Sequence, residues 1–387
     1  MSGTQKALYL TARAGQWVVG EAPIPRPGPK DVLVKVVSAA LNPIDWKLVD
    51  SPFSSIIQSY PFISGTDGAG IVEEAGEDVT TLVKGDKMTE VHEAQKAQQH
   101  DGTSSDSLWT HCDMYSVFQG YFANELATFQ QYCLVPAAIT AKIPDNISFD
   151  EAASIPLGLA TAVLALYNQD PKSDKTLRFT PPWAEGGTSQ FAGKPAFIIG
   201  GSSSVGQYAI QIAKLANFSP IITTASPHNT TLLASLGATH ILDRALPTST
   251  ILSKLPALAS GKPLEFVYDA ISLADTQALA YQAACRGGAV VLVLPEVIPE
   301  ELKKENEGDG DGVRVSGVFG SVHHPDNRRC GEEMYARLTG WLEKGIIKPN
   351  RVEVLPNGLA GIPDGLARLE AFKVSGMKLI ARPQETP

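Results

Sequence analysis

Residues that staple a chain or bind metal are scarce. Four cysteines, Cys112, Cys133, Cys285 and Cys330, are spread over 387 residues. No C-x-x-C pair and no zinc quartet can be drawn from them, and a disulfide framework is not expected in a chain of this length. Positive charge is in deficit: 32 Lys and Arg stand against 41 Asp and Glu, a formal net charge of −9 at pH 7. With no basic cluster anywhere, a nucleic-acid partner is not expected, because such binding rests on cationic contacts to phosphate. Apolar runs stop well short of the about 18 residues that span a bilayer, so no transmembrane helix is expected. The opening MSGTQKALYL lacks the charged-then-apolar order of a secretory signal, and the tail QETP carries no retention or peroxisomal address. Cytoplasm is the expected location.

What remains is ordinary globular material. Apolar residues make up 43% and charged residues 19%, and mean hydropathy is −0.02. The length predicts about two domains. Segments 6–10 and 31–39 alternate apolar and polar, as half-buried strands do, and the proline-rich 22–30 between them reads as an extended connection. Pro43 biases Asn42 away from helix, and 44–49 reads as one helical turn. Segment 62–76, FISGTDGAGIVEEAG, sets four glycines around a strand-like centre, which suits a curled, barrel-like sheet. Segment 91–126 breaks the rhythm with His92, His100, His111 and Cys112. It reads as an insertion, a lid or a surface flap. Its run His111-Cys112-Asp113 is the one place rich in metal-binding types, but adjacent residues seldom point at one ion. Strand character resumes at 129–135.

Ser148 with Glu151 forms a capping-box pattern, and an apolar helix follows over 159–167. After the Pro-, Gly- and Ser-rich loop 168–192, strands at 221–224, 240–242, 266–268, 289–294 and 313–318 alternate with helices at 229–236, 248–258 and 274–284. Such alternation means a parallel sheet with helices on both faces. The charged 296–312 reads as a solvated loop, 330–348 as one helix, 352–355 as a strand, 363–372 as a helix and 378–381 as a last strand.

The first unit of that alternation is 197–214, FIIGGSSSVGQYAIQIAK: a buried strand, a glycine turn and an amphipathic helix. Unpaired N–H groups and the macrodipole make the start of such a helix an anion site, and a dinucleotide pyrophosphate fits it. On a G-x-G-x-x-G template Gly201 is the first glycine, Gly206 the third, and Ser203 takes the second place. A strand–turn–helix without ligand fits the same residues. An NAD site places an acid about 20 residues further on, to hold the ribose 2′-OH. Thr223, Ser226 and His228 stand there instead, neutral or cationic donors that tolerate a 2′-phosphate, so NADP(H) is expected over NAD(H). The alternative is that these residues only cap the next helix, with Asn229 as N-cap.

Taken together, ALNPIDWK (40–47), GTDGAGIVEEAG (65–76), IPLGLATAVLAL (155–166), GGSSSVGQYAIQIAK (200–214), TASPHN (224–229), VYDAIS (267–272) and VSGVFG (315–320) cover nearly the whole chain. Their combination resembles the zinc-independent quinone and enoyl reductase branch of the medium-chain dehydrogenase/reductase superfamily, and is most similar to fungal trans-acting enoyl reductases. The resemblance implies an α/β fold: a Rossmann-type parallel-sheet domain binding NADP(H) over 153–323, and a GroES-like β-barrel catalytic domain from 1–152 and 324–387. Zinc alcohol dehydrogenases carry Cys where this chain has Asn42 and His-Glu where it has Thr66-Asp67, so no metal is expected.

By motif position, Gly201, Ser202, Ser203, Ser204 and Val205 meet the pyrophosphate. Ser226, with His228 and Asn229 beside it, meets the 2′-phosphate. Ala270 and Ile271 lie by the nicotinamide ribose, and the backbone of Val318, Phe319 and Gly320 holds the carboxamide. Arg244 either reaches the 2′-phosphate or is simply exposed. The implied reaction adds hydride to an activated C=C bond of an enone, an enal or a carrier-bound enoyl thioester. Reduction of a quinone and non-catalytic NADPH binding are the alternatives, and monomer and homodimer are both open. Lys47 and Asp45 come from the segment that replaces the zinc-ligand loop. Lys47 is expected to stabilise charge or orient substrate, or else to be an exposed lysine paired with Asp45.

Overall fold

The computed structural model describes residues 3–80, 115–306 and 312–387. His92, His100, His111, Cys112 and Asp113 lie outside those residues, and with them most of the expected insertion.

The alternating run at 31–39 forms the ten-residue strand Asp31–Ala40. It sits inside a seven-stranded sheet ordered Arg351–Val354, Met377–Ala381, Asp31–Ala40, Asp67–Ala75, Tyr115–Gln119, Thr140–Lys142, with Tyr132–Pro136 also paired to Asp31–Ala40. Two C-terminal strands thus return to a sheet begun near the N-terminus. Tyr115–Gln119 corrects the expected extent of the insertion: this stretch is a barrel strand in register with Asp67–Ala75. The polar stretch before it hides the alternation in sequence. A second sheet, Trp17–Pro23, Thr4–Leu10 and Phe62–Ile63, shares one core with the first, in which Leu8, Val34, Ile63, Phe129 and Leu379 are buried. This curled sheet system is the GroES-like domain.

The second layer is a six-stranded parallel sheet ordered His240–Asp243, Ile221–Ala225, Ala196–Ile199, Phe266–Asp269, Ala289–Leu292, Arg314–Gly317. The chain winds outward in both directions from the pair Ala196–Ile199 and Phe266–Asp269. That pair is the topological switch point, where open α/β sheets bind ligands beyond the carboxyl ends of their strands. The inner strands Ala196–Ile199 and Ala289–Leu292 are apolar throughout and fully buried because both faces are covered. Ile198, Tyr268 and Val291 pack into one core with Ala209 and Ile212. Phe197, Val267 and Val290 pack into another with Ile251 and Leu279.

The helix Pro156–Tyr167 is buried on nearly every face. Together with Phe149–Ala153 it makes one stretch long and apolar enough to cross a membrane, but 78% of that stretch is buried inside the protein, as in a core helix. The Ser148–Glu151 capping box forms as expected. Two expectations shift. The helix expected over 330–348 runs Pro325–Glu343: Pro325 opens it behind the N-cap His324, and Gly345 at φ 63° follows its end. The expected loop 296–312 contains the helix Glu300–Asn306. Loop 168–192 has no regular element but is anchored by rings: Phe191 stacks on Phe218 at 4.5 Å, and Trp183 lies 5.5 Å from Tyr167 and 5.6 Å from Trp341.

Candidate active site

The strand Ala196–Ile199 ends in a turn that only glycine can make. Gly200 has φ 75°, and a Cβ on it would lie 2.3 Å from Ile271 Cγ1. A Cβ on Gly201 would lie 2.1 Å from Thr223 Oγ1, and one on Gly206 2.2 Å from the Gly200 carbonyl oxygen. Ser203 is the N-cap of the helix Ser204–Leu215, and its Oγ accepts from the Gly206 N–H at 3.0 Å. Its own hydroxyl proton remains to be donated, so the serine in the middle-glycine place both caps the helix and offers a donor. Two buried polar atoms next to the turn lack partners among the described residues: Gln207 Oε1, whose amide nitrogen donates to the Ser202 carbonyl, and Asn350 Nδ2, whose amide oxygen accepts from Ser204 Oγ at 2.6 Å. A tight cradle, a helix start and the unpaired Asn350 amide donor fit a pyrophosphate.

The structure brings the other expected cofactor residues to the same edge of the sheet. Ala270 donates its N–H to the Ile199 carbonyl at 3.1 Å, and Ile271 packs on Gly200. Asp269 folds that corner by accepting from the Ile271 and Ser272 N–H groups at 3.0 and 2.8 Å. Burial raises its carboxyl above the usual range. On the other side, the Arg244 N–H donates to the Ala225 carbonyl at 3.0 Å, which sets Arg244 beside Ser226. Arg244 is exposed, and its guanidinium has no partner among the described residues. Val318, Phe319 and Gly320 follow the last sheet strand and are half-buried.

Two expected residues turn elsewhere. Asn229 caps nothing with its side chain. It donates to Ser375 Oγ at 3.0 Å, and His228 Nε2 lies 3.2 Å from the same hydroxyl. Ser375 precedes the barrel strand Met377–Ala381, so His228 and Asn229 tie the nucleotide sheet to the other sheet system.

The Asn42 loop is the second focus. Asn42 Nδ2 donates to Thr66 Oγ1 at 3.1 Å and to Asp67 Oδ2 at 2.9 Å. Lys378, which is 4% exposed, brings its ammonium to Asn42 Oδ1 and lies 3.0 Å from Asp67 Oδ2. Asp67 Oδ1 accepts from the Leu157 N–H at 2.6 Å, at the start of the helix Pro156–Tyr167. The residues standing where zinc dehydrogenases keep ligands are thus bound to each other around a lysine ammonium. Sequence reasoning missed Lys378. Its one signal was a charge inside the apolar strand MKLIA, where four of five residues are buried.

Asp45 is wholly buried and its carboxylate is used within the loop. It accepts from the Asn42 N–H at 2.8 Å and from Ser64 Oγ at 2.8 Å. Burial, with the Asp67 charge adding to it, pushes its carboxyl up to about 7 against the pull of those hydrogen bonds and of Lys378. Lys47 does not pair with Asp45. Its ammonium lies 5.4 Å from the centroid of Trp46 and 5.7 Å from that of Phe53. It is half-buried, and desolvation lowers its pKa.

The alcohol dehydrogenase GroES-like domain family matches residues 28–145, and the zinc-binding dehydrogenase family matches residues 204–307. A trans-enoyl reductase of Aspergillus japonicus is 33% identical over 97% of this chain and 96% of its own. The chain belongs to the medium-chain dehydrogenase/reductase superfamily. A trans-enoyl reductase of a Penicillium species is 29% identical, with 98% of both chains covered. An alcohol dehydrogenase superfamily protein from Novosphingobium aromaticivorans superposes with a TM-score of 0.72 at 20% identity, over 97% of this chain and 99% of that one. A mycobacterial quinone oxidoreductase gives 0.65 at 21%, over 98% and 100%. These structural likenesses show the shared fold. Members of the superfamily are oxidoreductases that bind a nicotinamide cofactor, which is the group the cradle at Gly200–Gly206 fits.

Proposed function

We propose that the chain reduces the C=C bond of an α,β-unsaturated carbonyl compound or enoyl thioester, using NADPH and no metal. Residues 153–323 form the cofactor unit in this reading, and 1–152 with 324–387 the catalytic unit. The observation that carries it is the saturated Asn42–Asp67–Lys378 cluster: side chains that would polarise an alcohol oxygen through an ion are bound to one another. The full-length likeness to trans-enoyl reductases supports the same reading.

Gly201, Ser202, Ser203, Ser204 and Val205 hold the pyrophosphate, and Ser226 with the free guanidinium of Arg244 holds the 2′-phosphate. Ala270 and Ile271 flank the nicotinamide ribose, and the backbone of Val318–Gly320 receives the carboxamide. When bound, the reduced nicotinamide supplies hydride to the β-carbon of the substrate. The protein must then hold the negative charge that gathers on the substrate carbonyl oxygen until water or a nearby acid protonates the α-carbon and gives the saturated product. Lys47 takes that task. Desolvation lowers its pKa and makes it a readier proton donor, and the aromatic rings of Trp46 and Phe53 steady its ammonium. Asp45 acts on Lys47 only by folding the loop that carries it.

The test is an NADPH-consumption screen across enals, enones, quinones and enoyl thioesters, with product analysis. Saturated carbonyl products from the enones or thioesters support the proposal. Turnover of quinones alone, or of nothing despite tight NADPH binding, overturns it. Lys47→Ala is expected to lower kcat/KM by about 100-fold, the scale of one lost donor to a developing oxyanion. Unchanged turnover and KM in that variant would remove Lys47 from the mechanism.

A further inference from the structure

The loop 318–322 leaves the carboxyl end of Arg314–Gly317, the outermost strand on one side of the switch point. A dinucleotide laid across that point puts its adenosine half over Ile221–Ala225 and His240–Asp243, and its other half over Phe266–Asp269, Ala289–Leu292 and Arg314–Gly317. Two side-chain amides from outside the sheet hold this loop. Asn327 Nδ2 donates to the Phe319 carbonyl at 2.8 Å and to the Ser321 carbonyl at 3.0 Å. Gln119 Nε2 donates to the Gly320 carbonyl at 3.0 Å, and Gln119 Oε1 accepts from the Val322 N–H at 2.8 Å. Neither amide can flip without loss. Asn168 Nδ2 donates to Asn327 Oδ1 at 2.8 Å, and Gln119 uses both of its ends on the loop. Both amides are buried, at 1% and 5% exposed for Gln119 and Asn327. From behind, the helix Pro156–Tyr167 presses so close that a Cβ on Gly320 would lie 2.3 Å from Thr161 Oγ1.

Three successive carbonyls, those of Phe319, Gly320 and Ser321, are thereby occupied. The N–H groups of Phe319 and Gly320 have no partner among the described residues. At Phe319 and Gly320 the loop therefore offers donors and withholds acceptors, while the Val318 carbonyl before them has no partner among the described residues. A carboxamide meets the two N–H groups favourably with its oxygen and unfavourably with its NH₂, because a donor facing a donor forfeits a hydrogen bond. We infer that Gln119 and Asn327 are positioning residues that fix the orientation of the nicotinamide ring, and so the face from which hydride leaves. The inference rests on the NADPH reading above. Gln119 is suited to the part because it is the register partner of Asp67, so one strand pair joins the Lys378 cluster to the nicotinamide loop.

The experiment compares wild type, Gln119→Ala and Asn327→Ala. Calorimetry measures binding of NADPH and of 2′,5′-ADP, which carries only the adenosine end. Deuterium transfer from (4R)- and (4S)-[4-²H]NADPH to an accepted enone measures facial selectivity. Each variant is expected to weaken NADPH by about tenfold, the worth of one lost hydrogen bond, to leave 2′,5′-ADP within about twofold, and to transfer from the wrong face measurably. Equal weakening of both ligands, or unchanged NADPH affinity with intact selectivity, overturns the inference while the cofactor reading stands. A wild type that binds neither ligand removes both. Because the two amides come from different elements, a folding failure in one variant leaves the other to decide.

Discussion

The nucleotide turn and the Asn42 loop both lie where the two sheet systems meet, yet they are made in opposite ways. The turn itself spans the seven residues Gly200–Gly206, and its requirement is steric: a Cβ on Gly201 or Gly206 would lie within 2.2 Å of a neighbouring atom. The Asn42 loop is built from charge, and its key partner, Lys378, stands 336 positions away. Steric sites leave a local pattern in sequence because the backbone itself must take an unusual path. A compensated buried charge leaves none, because any strand that returns to the sheet can supply the partner.

The sharpest way to break this contrast is Lys378→Met. If the ammonium is what makes the Asn42 loop stable, its removal leaves the Asp67 carboxylate buried and uncompensated, a loss of about 3–5 kcal/mol. Urea unfolding reads it directly. Adding Asp67→Asn removes the stranded charge and is expected to recover more than half of the loss, since the amide oxygen still accepts from the Leu157 N–H. Lys378→Met with wild-type stability would mean that the loop, like the turn, is held by its local bonds alone.

A second test uses pH. Folding raises the Asp45 carboxyl from 3.8 to about 7, so the folded state binds this proton more tightly than the unfolded chain does. The favourable contribution is complete below about pH 4 and is lost as pH climbs to about 7, with an upper bound of about 4 kcal/mol for a shift of that size. Asp45→Asn lacks the titration. Its stability relative to wild type should therefore improve steadily between those limits and stay level above them, whatever constant cost the lost hydrogen bonds impose. The groups facing Asp45 are Ser64, Asp67 and Lys378. A flat difference across the window would show that the carboxylate stays ionised, and that Lys378 compensates both acids.

The same contrast explains what was legible. Strand and helix alternation after residue 195 could be read because covered parallel strands are short apolar runs between helices of period 3.6. The cradle could be read because Gly200, Gly201 and Gly206 have no substitutes. The capping box at Ser148 was legible for a similar local reason. The barrel strand Tyr115–Gln119 was not, since its pairing partner Asp67–Ala75 is remote and the stretch before it is polar. Gln119, Asn327 and Lys378 were invisible because an amide or an ammonium becomes informative only when its partners are known. The bonds of His228 and Asn229 to Ser375 were invisible for the same reason, since Ser375 lies about 150 positions further on.

The smallest expected effect separates two glycines within the turn. Gly206→Ala sets a Cβ against the Gly200 carbonyl oxygen at 2.2 Å and Gly201 Cα at 2.8 Å. Both are backbone atoms of the cradle itself, so the turn must open, and NADPH affinity is expected to fall by about 100-fold, or about 2.7 kcal/mol. Gly201→Ala sets its Cβ against Thr223 Oγ1 at 2.1 Å, a side-chain atom, and the next contact is Ile210 Cδ1 at 3.0 Å. Removing that oxygen with Thr223→Ala should restore most of the affinity lost by Gly201→Ala, while the same change does nothing for Gly206→Ala. Calorimetric titration of the four variants with NADPH settles the matter. Rescue at 201 and none at 206 places the steric requirement in the backbone at one glycine and in a neighbouring side chain at the other. Rescue at neither would mean that the turn tolerates no Cβ at either position, and that its legibility comes from the backbone path alone.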